Sequence, residues 1–289
     1  MFETISFLIA LVGSALAGLY DLKITPTEIP DEIPYAMIGL ALVLICIQSV
    51  VQSNFNILAE SLMYGISLLL FGYVMYRFGQ WGGGDAKILA AIGFLSPNLS
   101  SPAKIIQFPF ALSYLINVFL IGAVYMLVYA LVMSLINRKI IFAFFKSVKS
   151  SSNLILISSP IMFLLFLFGN WSLLSLFDMA VNLQSVVVNS IIILFVSIIM
   201  FLIWFFVKAV EETGFKKRIP ISQLRIGDVL LESKVWEGIT GKELKKIKKS
   251  GKKSVWIKSG VCFAPVFPLA LLFTLYFGDG ILYLIKFLI

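Results

Sequence analysis

Long apolar runs, separated by short polar segments, occupy most of the chain and set its expected architecture. A helix needs about 20 apolar residues to cross the hydrocarbon core of a bilayer, and eight runs approach that length. They cover residues 2–20, 34–51, 57–76, 86–99, 112–136, 154–168, 186–207 and 260–277. The fourth run is short and interrupted by proline, and residues 170–184 are polar enough to favour an interfacial position. The pattern predicts an all-α polytopic membrane protein with about six to eight transmembrane helices.

One long polar segment, residues 208–258, interrupts this pattern before the last run. It contains 14 Lys and Arg residues against 6 Asp and Glu residues, which accounts for the net charge of +8 of the whole chain. Residues 219–233 predict a turn and a strand, and residues 254–258 predict a second strand. Between them, Thr240 and Glu243 have the spacing of a capping box, which predicts a short helix. The segment is therefore expected to form a small α+β module.

The same patterns predict a division of the chain and an orientation in the membrane. Residues 1–100 are expected to form a membrane core of four spans, residues 101–207 further spans, residues 208–258 the basic module and residues 259–289 the last span. Lys and Arg favour the cytoplasmic side, and an N-terminus outside the cell places 21 of the 23 cations inside. The module is then cytoplasmic, where its charge is expected to attract anionic lipid. Binding of a substrate is the alternative role of this module. It contains no nucleic-acid-binding motif.

The residue types that are present exclude several kinds of catalysis. The chain has no histidine, which excludes Ser-His pairs, Cys-His pairs and HExxH zinc sites. Its two cysteines, Cys46 and Cys262, lie in apolar runs and lack the spacing of a zinc cluster. No metal or cofactor is expected, and any chemistry must use carboxylates, hydroxyls or amines.

Two carboxylates occupy unusual positions at the ends of apolar runs. Asp21 closes the first run, and Asp85 opens the fourth directly after Gly82, Gly83 and Gly84. The predicted orientation places both at the cytoplasmic membrane level. Each has a structural alternative, Asp21 as an interfacial anchor and Asp85 as a helix N-cap. Three successive glycines allow a close backbone approach and a bend that can direct a carboxylate into a cavity, which favours a functional pair.

The sequences around both aspartates resemble one family. Residues 78–95, FGQWGGGDAKILAAIGFL, resemble the GxGD region of type IV prepilin peptidases and their archaeal preflagellin-peptidase relatives. Residues 20–34, YDLKITPTEIPDEIP, resemble that family's first inner loop, in which an Asp is followed by a polar segment and Ile-Pro. Arg is common in that loop, whereas this chain has only Lys23 there. Residues 219–230 are similar to a cytoplasmic module that some archaeal members insert before their last span.

The resemblance implies a function and a catalytic pair. Members are membrane-embedded aspartic endopeptidases that remove the short N-terminal leader of prepilins, preflagellins (archaellin precursors) or other pilin-like precursors at the cytoplasmic membrane face. It implies that Asp21 and Asp85 act on a water molecule, with the preceding glycines positioning the backbone. No N-methyltransferase activity is expected, because the paired cysteines of the bifunctional bacterial enzymes are absent.

Three acidic residues of the first inner loop, Glu28, Asp31 and Glu32, are candidates for contact with the basic leader of a precursor. Opposite charges would attract the leader to this loop. The ordinary polarity of a loop between two helices also explains these residues. The expected partners are therefore pilin-like or archaellin precursors and membrane lipid.

Two other functions fit parts of the pattern. Presenilin-like and signal-peptide-peptidase-like proteases also pair Tyr-Asp with GxGD, but on neighbouring helices and with a later Pro-Ala-Leu. Here a helical hairpin intervenes, and the nearest late sequence is Pro-Leu-Ala at residues 268–270. A transporter would use membrane acids as ion sites and glycines as helix breaks, but residues 101–208 contain no second copy of either motif.

Overall fold

The computed structural model describes residues 1–22, 29–100, 108–176, 182–233, 238–250, 253–258 and 260–283. The helices in these ranges are α1 (Phe2–Asp21), α2 (Glu32–Val51), α3 (Asn56–Arg77), α4 (Gly83–Leu95), α5 (Phe110–Ile136), α6 (Arg138–Ser150), α7 (Ser152–Leu176), α8 (Leu183–Val210), α9 (Gly241–Lys249) and α10 (Val266–Phe277). The strands are β1 (Lys216–Pro220), β2 (Val229–Leu230) and β3 (Ser254–Lys258). Among the described helices, α1, α2, α3, α5, α7 and α8 are long and apolar enough to cross a membrane. The predicted all-α polytopic fold with a small α+β module is confirmed.

Several predicted boundaries are wrong. α4 has only 13 residues and starts at Gly83, and α10 has 12 residues and starts at Val266. α7 extends to Leu176, so residues 170–176 continue a helix that the apolar pattern ends at residue 168. The polar Asn170 is accommodated there because its amide donates a hydrogen bond to the Ser190 hydroxyl of α8, at 3.0 Å.

The structure contains two elements, α6 and β1, that the sequence pattern does not predict. α6 lies in a stretch with four cations that the apolar pattern assigns to a loop. It forms a helix because Ile140 is buried and Phe144 packs edge-to-face on Phe206 of α8, with ring centroids 5.8 Å apart. β1 has the charged sequence KKRIP, which conceals its strand character, and it pairs with β3 at one edge of the sheet.

The basic module contains the three-stranded sheet and α9. The strand order is β1-β3-β2, and β2 runs antiparallel to β3 with Val229 opposite Lys258. α9 starts with the predicted capping box, in which the Glu243 carboxylate accepts a hydrogen bond from the Thr240 N–H at 2.8 Å. The hydrogen bonds from Thr240 lower the pKa of Glu243, so this carboxylate stays ionised where it stabilises the start of the helix.

The chain forms two compact units. The first unit comprises Met1–Val128 and Lys217–Ile289, and the second comprises Tyr129–Lys216. In the first unit α4 is the central helix, and every residue from Ile88 to Leu95 is buried. It contacts α1, α2 and α3. A helix of 13 residues, about 20 Å long, is therefore surrounded by protein within the described residues.

Small residues allow α3 and α4 to pack closely. A Cβ atom added to Gly72 of α3 would lie 2.8 Å from the Cα atom of Ala86, and one added to Gly93 of α4 would lie 3.1 Å from the Cα atom of Gly65. Close backbone approach through small residues is the usual way in which helices associate in lipid. The Ser61 hydroxyl reinforces the contact by donating a hydrogen bond to the Phe94 carbonyl at 2.6 Å.

The second unit is packed more sparsely. Its buried apolar cluster consists of Ala130, Ile140, Ala209 and Val210. α7 contacts α8 but has no buried residue. Most of the apolar surface of α7 therefore faces away from the described protein.

Candidate active site

Asp21 is the last residue of α1, and its side chain is held by the segment that precedes α10. The residue is 7% exposed. Its Oδ2 atom accepts a hydrogen bond from the Ala264 N–H at 3.0 Å, and the Phe263 N–H also interacts with this carboxylate. An acidic residue at the C-terminal end of a helix is disfavoured by the helix dipole. Stabilisation of α1 therefore does not explain Asp21.

Asp85 is the third residue of α4 and is also 7% exposed. Its Oδ2 atom accepts a hydrogen bond from the Gly82 N–H at 2.9 Å. The N-cap position belongs to Gly82, so Asp85 caps the helix from inside its first turn and not as the N-cap residue. Its other carboxylate oxygen, Oδ1, is buried and accepts no hydrogen bond from the described residues. Helix capping thus accounts for one oxygen of Asp85 and leaves the other unexplained.

The fold brings these two carboxylates into one buried site. α1 and α4 contact each other, and the carboxyl groups of Asp21 and Asp85 are close enough to interact electrostatically. The thiol of Cys262 also lies within electrostatic range of both. Two buried carboxylates that interact electrostatically are costly to ionise together.

Glycines shape the turn that carries Asp85. Gly79 follows the end of α3 with φ of 67°, a left-handed conformation that glycine adopts without strain. A Cβ atom on Gly84 would lie 2.8 Å from the side chain of Ile29, and one on Gly82 would lie 3.2 Å from Oδ2 of Asp85. A Cβ atom on Gly83 would meet only Tyr76, at an ordinary 3.8 Å. Close approach is therefore a property of Gly82 and Gly84.

An aromatic cluster around Trp81 connects the turn before Asp85 with the segment that donates hydrogen bonds to Asp21. The sequence analysis did not predict this cluster. Trp81 is buried four residues before Asp85, and its ring lies 5.7–6.0 Å from four phenylalanine rings, those of Phe71, Phe119, Phe263 and Phe267. Phe263 immediately precedes Ala264, the hydrogen-bond donor to Asp21. The available signal was a tryptophan directly before a run of three glycines.

The candidate leader-binding acids have different surroundings. Asp31 forms an ion pair with Lys87 of α4 at 2.6 Å, and the Lys87 ammonium group also lies 4.9 Å from the centre of the Tyr35 ring. Glu32 is exposed in the first turn of α2. Glu28 lies outside the described residues. The negative charge of Asp31 is thus already compensated within the chain.

The part of the chain that carries the candidate site matches a known family. The sequence model of the type IV leader peptidase family matches residues 7–131. The match contains both aspartates and the glycine run. The resemblance found in the sequence is confirmed over that part of the chain.

Three archaeal proteins are similar to the chain. Prepilin peptidase EppA of Methanothermobacter thermautotrophicus is 27% identical over 147 residues, which cover 47% of this chain and 38% of the relative. The preflagellin peptidases of Methanocaldococcus jannaschii and Methanococcus voltae are 29% and 33% identical over 98 residues, which cover 34% of this chain and 41% of each relative. The chain therefore spans about two fifths of the length of the curated relatives that it matches.

Proposed function

We propose that the chain is a membrane-embedded aspartic endopeptidase that removes the N-terminal leader of pilin-like precursors. The observation that carries the proposal is the meeting of Asp21 and Asp85 in one buried site, although 64 residues separate them in sequence. The similarity to prepilin and preflagellin peptidases supports the same chemistry and substrate class.

The proposed mechanism needs only the two carboxyl groups and water. One carboxylate is ionised and accepts a proton from water, whose oxygen attacks the scissile carbonyl carbon. The other carboxyl group is protonated and donates a hydrogen bond to the carbonyl oxygen, which stabilises the developing charge. A proton then passes to the leaving amine nitrogen as the C–N bond breaks. No metal, cofactor or covalent intermediate takes part.

Backbone N–H groups orient both carboxylates in this mechanism. Ala264 fixes Oδ2 of Asp21, and Gly82 fixes Oδ2 of Asp85. The buried Oδ1 of Asp85 has no partner among the described residues and is therefore available for water or substrate. In this mechanism the two carboxyl groups perform the proton transfers that histidine performs in many hydrolases.

The proposed substrate has a short basic leader in the cytoplasm followed by an apolar helix in the membrane. The membrane core of residues 1–100 then acts at the cytoplasmic membrane face, with the N-terminus outside the cell and residues 208–258 inside. Glu32 can attract the leader directly, whereas a leader cation must displace Lys87 to pair with Asp31. Glu28 remains a candidate for the same contact. No N-methyltransferase activity is proposed.

Co-expression with candidate precursors tests the proposal, with loss of the leader scored as a shift in precursor mass. We expect Asp21→Asn and Asp85→Asn each to reduce processing by about 10²- to 10⁴-fold, because each removes one partner of the proton exchange. Glu60→Gln is the matched control, since it neutralises an exposed carboxylate on α3. Full processing by either Asn variant, inserted normally in the membrane, would refute the catalytic pair.

A further inference from the structure

α6 must lie at a membrane boundary. Only Asn137 separates it from α5, and only Ser151 separates it from α7. Both neighbouring helices are long and apolar enough to cross a membrane. α6 has 13 residues, whereas a crossing needs about 20. It therefore connects the ends of two spans along one side of the bilayer.

The inner face of α6 packs against the end of α8. Ile140 is fully buried, and Phe144 contacts Phe206 of α8. Close to this contact, the Lys208 ammonium group lies 5.3 Å from the centre of the exposed Trp204 ring. Exposed tryptophan and lysine at a helix end are typical of the headgroup level of a membrane. This pair independently indicates that α6 lies at the headgroup level.

The outer face of α6 combines cations with exposed aromatic rings. Residues spaced by four, three and four positions form this face, because a helix has 3.6 residues per turn: Arg138, Phe142, Phe145 and Lys149. Phe142 is 79% exposed and Phe145 is 63% exposed. Lys139 and Lys146 add two exposed cations beside this face, and α6 contains no acidic residue.

We propose that α6 is an interfacial helix that binds anionic lipid headgroups. The four cations pair with lipid phosphates, and the rings of Phe142 and Phe145 enter the boundary between headgroups and acyl chains. The charge is complementary to an anionic lipid surface, and exposed phenylalanine is stabilised where it leaves water. This inference is independent of the proposed peptidase activity, since it rests on residues of the second unit alone.

Hydrogen exchange in nanodiscs tests the proposal on the full-length protein. Amide exchange over residues 138–150 is measured in phosphatidylcholine and in phosphatidylcholine with about one third phosphatidylglycerol. We expect exchange to be slower by about fivefold or more in the anionic lipid, because one cation near an anionic surface contributes about 1 kcal/mol. Equal exchange rates in the two lipids would overturn the proposal.

Two variants with the same change of charge make the test specific. The first replaces the four cations of α6 with Gln, at positions Arg138, Lys139, Lys146 and Lys149. The control replaces four exposed lysines of α9 with Gln, at positions Lys245, Lys246, Lys248 and Lys249. The α6 variant should lose the effect of anionic lipid on residues 138–150, and the α9 variant should retain it. Equal loss in both would show a general effect of net charge and would refute a site on α6.

A third variant tests the aromatic contribution. Phe142→Ser combined with Phe145→Ser should speed exchange over residues 138–150 in both lipids, because insertion of the rings does not depend on headgroup charge. Exchange over α4 is the folding control in every variant, since α4 belongs to the first unit. Unchanged exchange in the double variant would contradict insertion of the rings.

Discussion

α4 and α7 are both apolar helices, yet their surroundings are opposite. α4 is buried from Ile88 to Leu95, whereas α7 has no buried residue. Glycine and alanine are frequent in α4, and α7 has mostly large apolar side chains. Apolar side chains are equally well solvated by lipid and by protein, so in a membrane close packing depends on small residues and hydrogen bonds. The candidate catalytic pair lies in the region that is packed closely.

Matched substitutions of tryptophan should give the largest difference between the two units. Trp81→Ala removes a buried ring that contacts four phenylalanines in the first unit. We expect a loss of about 3–5 kcal/mol in the free energy of unfolding, measured by titration with a denaturing detergent, together with reduced processing. Trp204→Ala in the second unit should cost less than about 1 kcal/mol, because lipid can fill the space of an exposed ring. Equal losses would contradict the contrast in packing.

Asparagine substitutions in the two units should differ next. In the first unit Asn117 is fully buried and donates to the Thr274 hydroxyl and the Gly278 carbonyl, and it accepts a bond from the Gly280 N–H. Asn117→Ala removes all three hydrogen bonds, while the Thr274 hydroxyl keeps its bond to the Ala270 carbonyl, and should cost about 2–3 kcal/mol. Asn170→Ala in the second unit removes one bond to Ser190 and should cost about 0.6 kcal/mol. Melting temperatures in detergent provide the measurement, and a larger shift for Asn170→Ala would reverse the expected order.

Glycine substitutions should change the stability of the two units with opposite signs. Gly72→Ala places a Cβ atom 2.8 Å from the Cα atom of Ala86 and should destabilise the protein by about 1–3 kcal/mol. Gly169→Ala meets no atom within 4 Å and should stabilise α7 by about 0.5–1 kcal/mol, since alanine favours a helix. The same unfolding titration measures both variants. Stabilisation by Gly72→Ala would show that α3 and α4 tolerate a wider separation.

Much of the fold could be predicted from the sequence because its signals are local. Apolar length gave the spans, and the spacing of Thr240 and Glu243 gave the start of α9. α6 was missed because its cations interrupt the apolar pattern, and its helix depends on contacts with α8. The extent of α7 was missed for a similar reason, since Asn170 looks unfavourable until Ser190 provides its partner.

The sequence by itself determined which residues are candidates for catalysis, because ionisable groups at membrane helix ends and a run of three glycines are costly and stand out without any structure. Only the tertiary structure decided what surrounds them. Ala264 follows Asp21 by 243 residues, and no local pattern connects a backbone N–H to so distant a carboxylate. The same holds for Trp81 and for the pairing of Asp31 with Lys87. Such contacts depend on which helix surfaces fit together, since lipid favours apolar helices without selecting their neighbours.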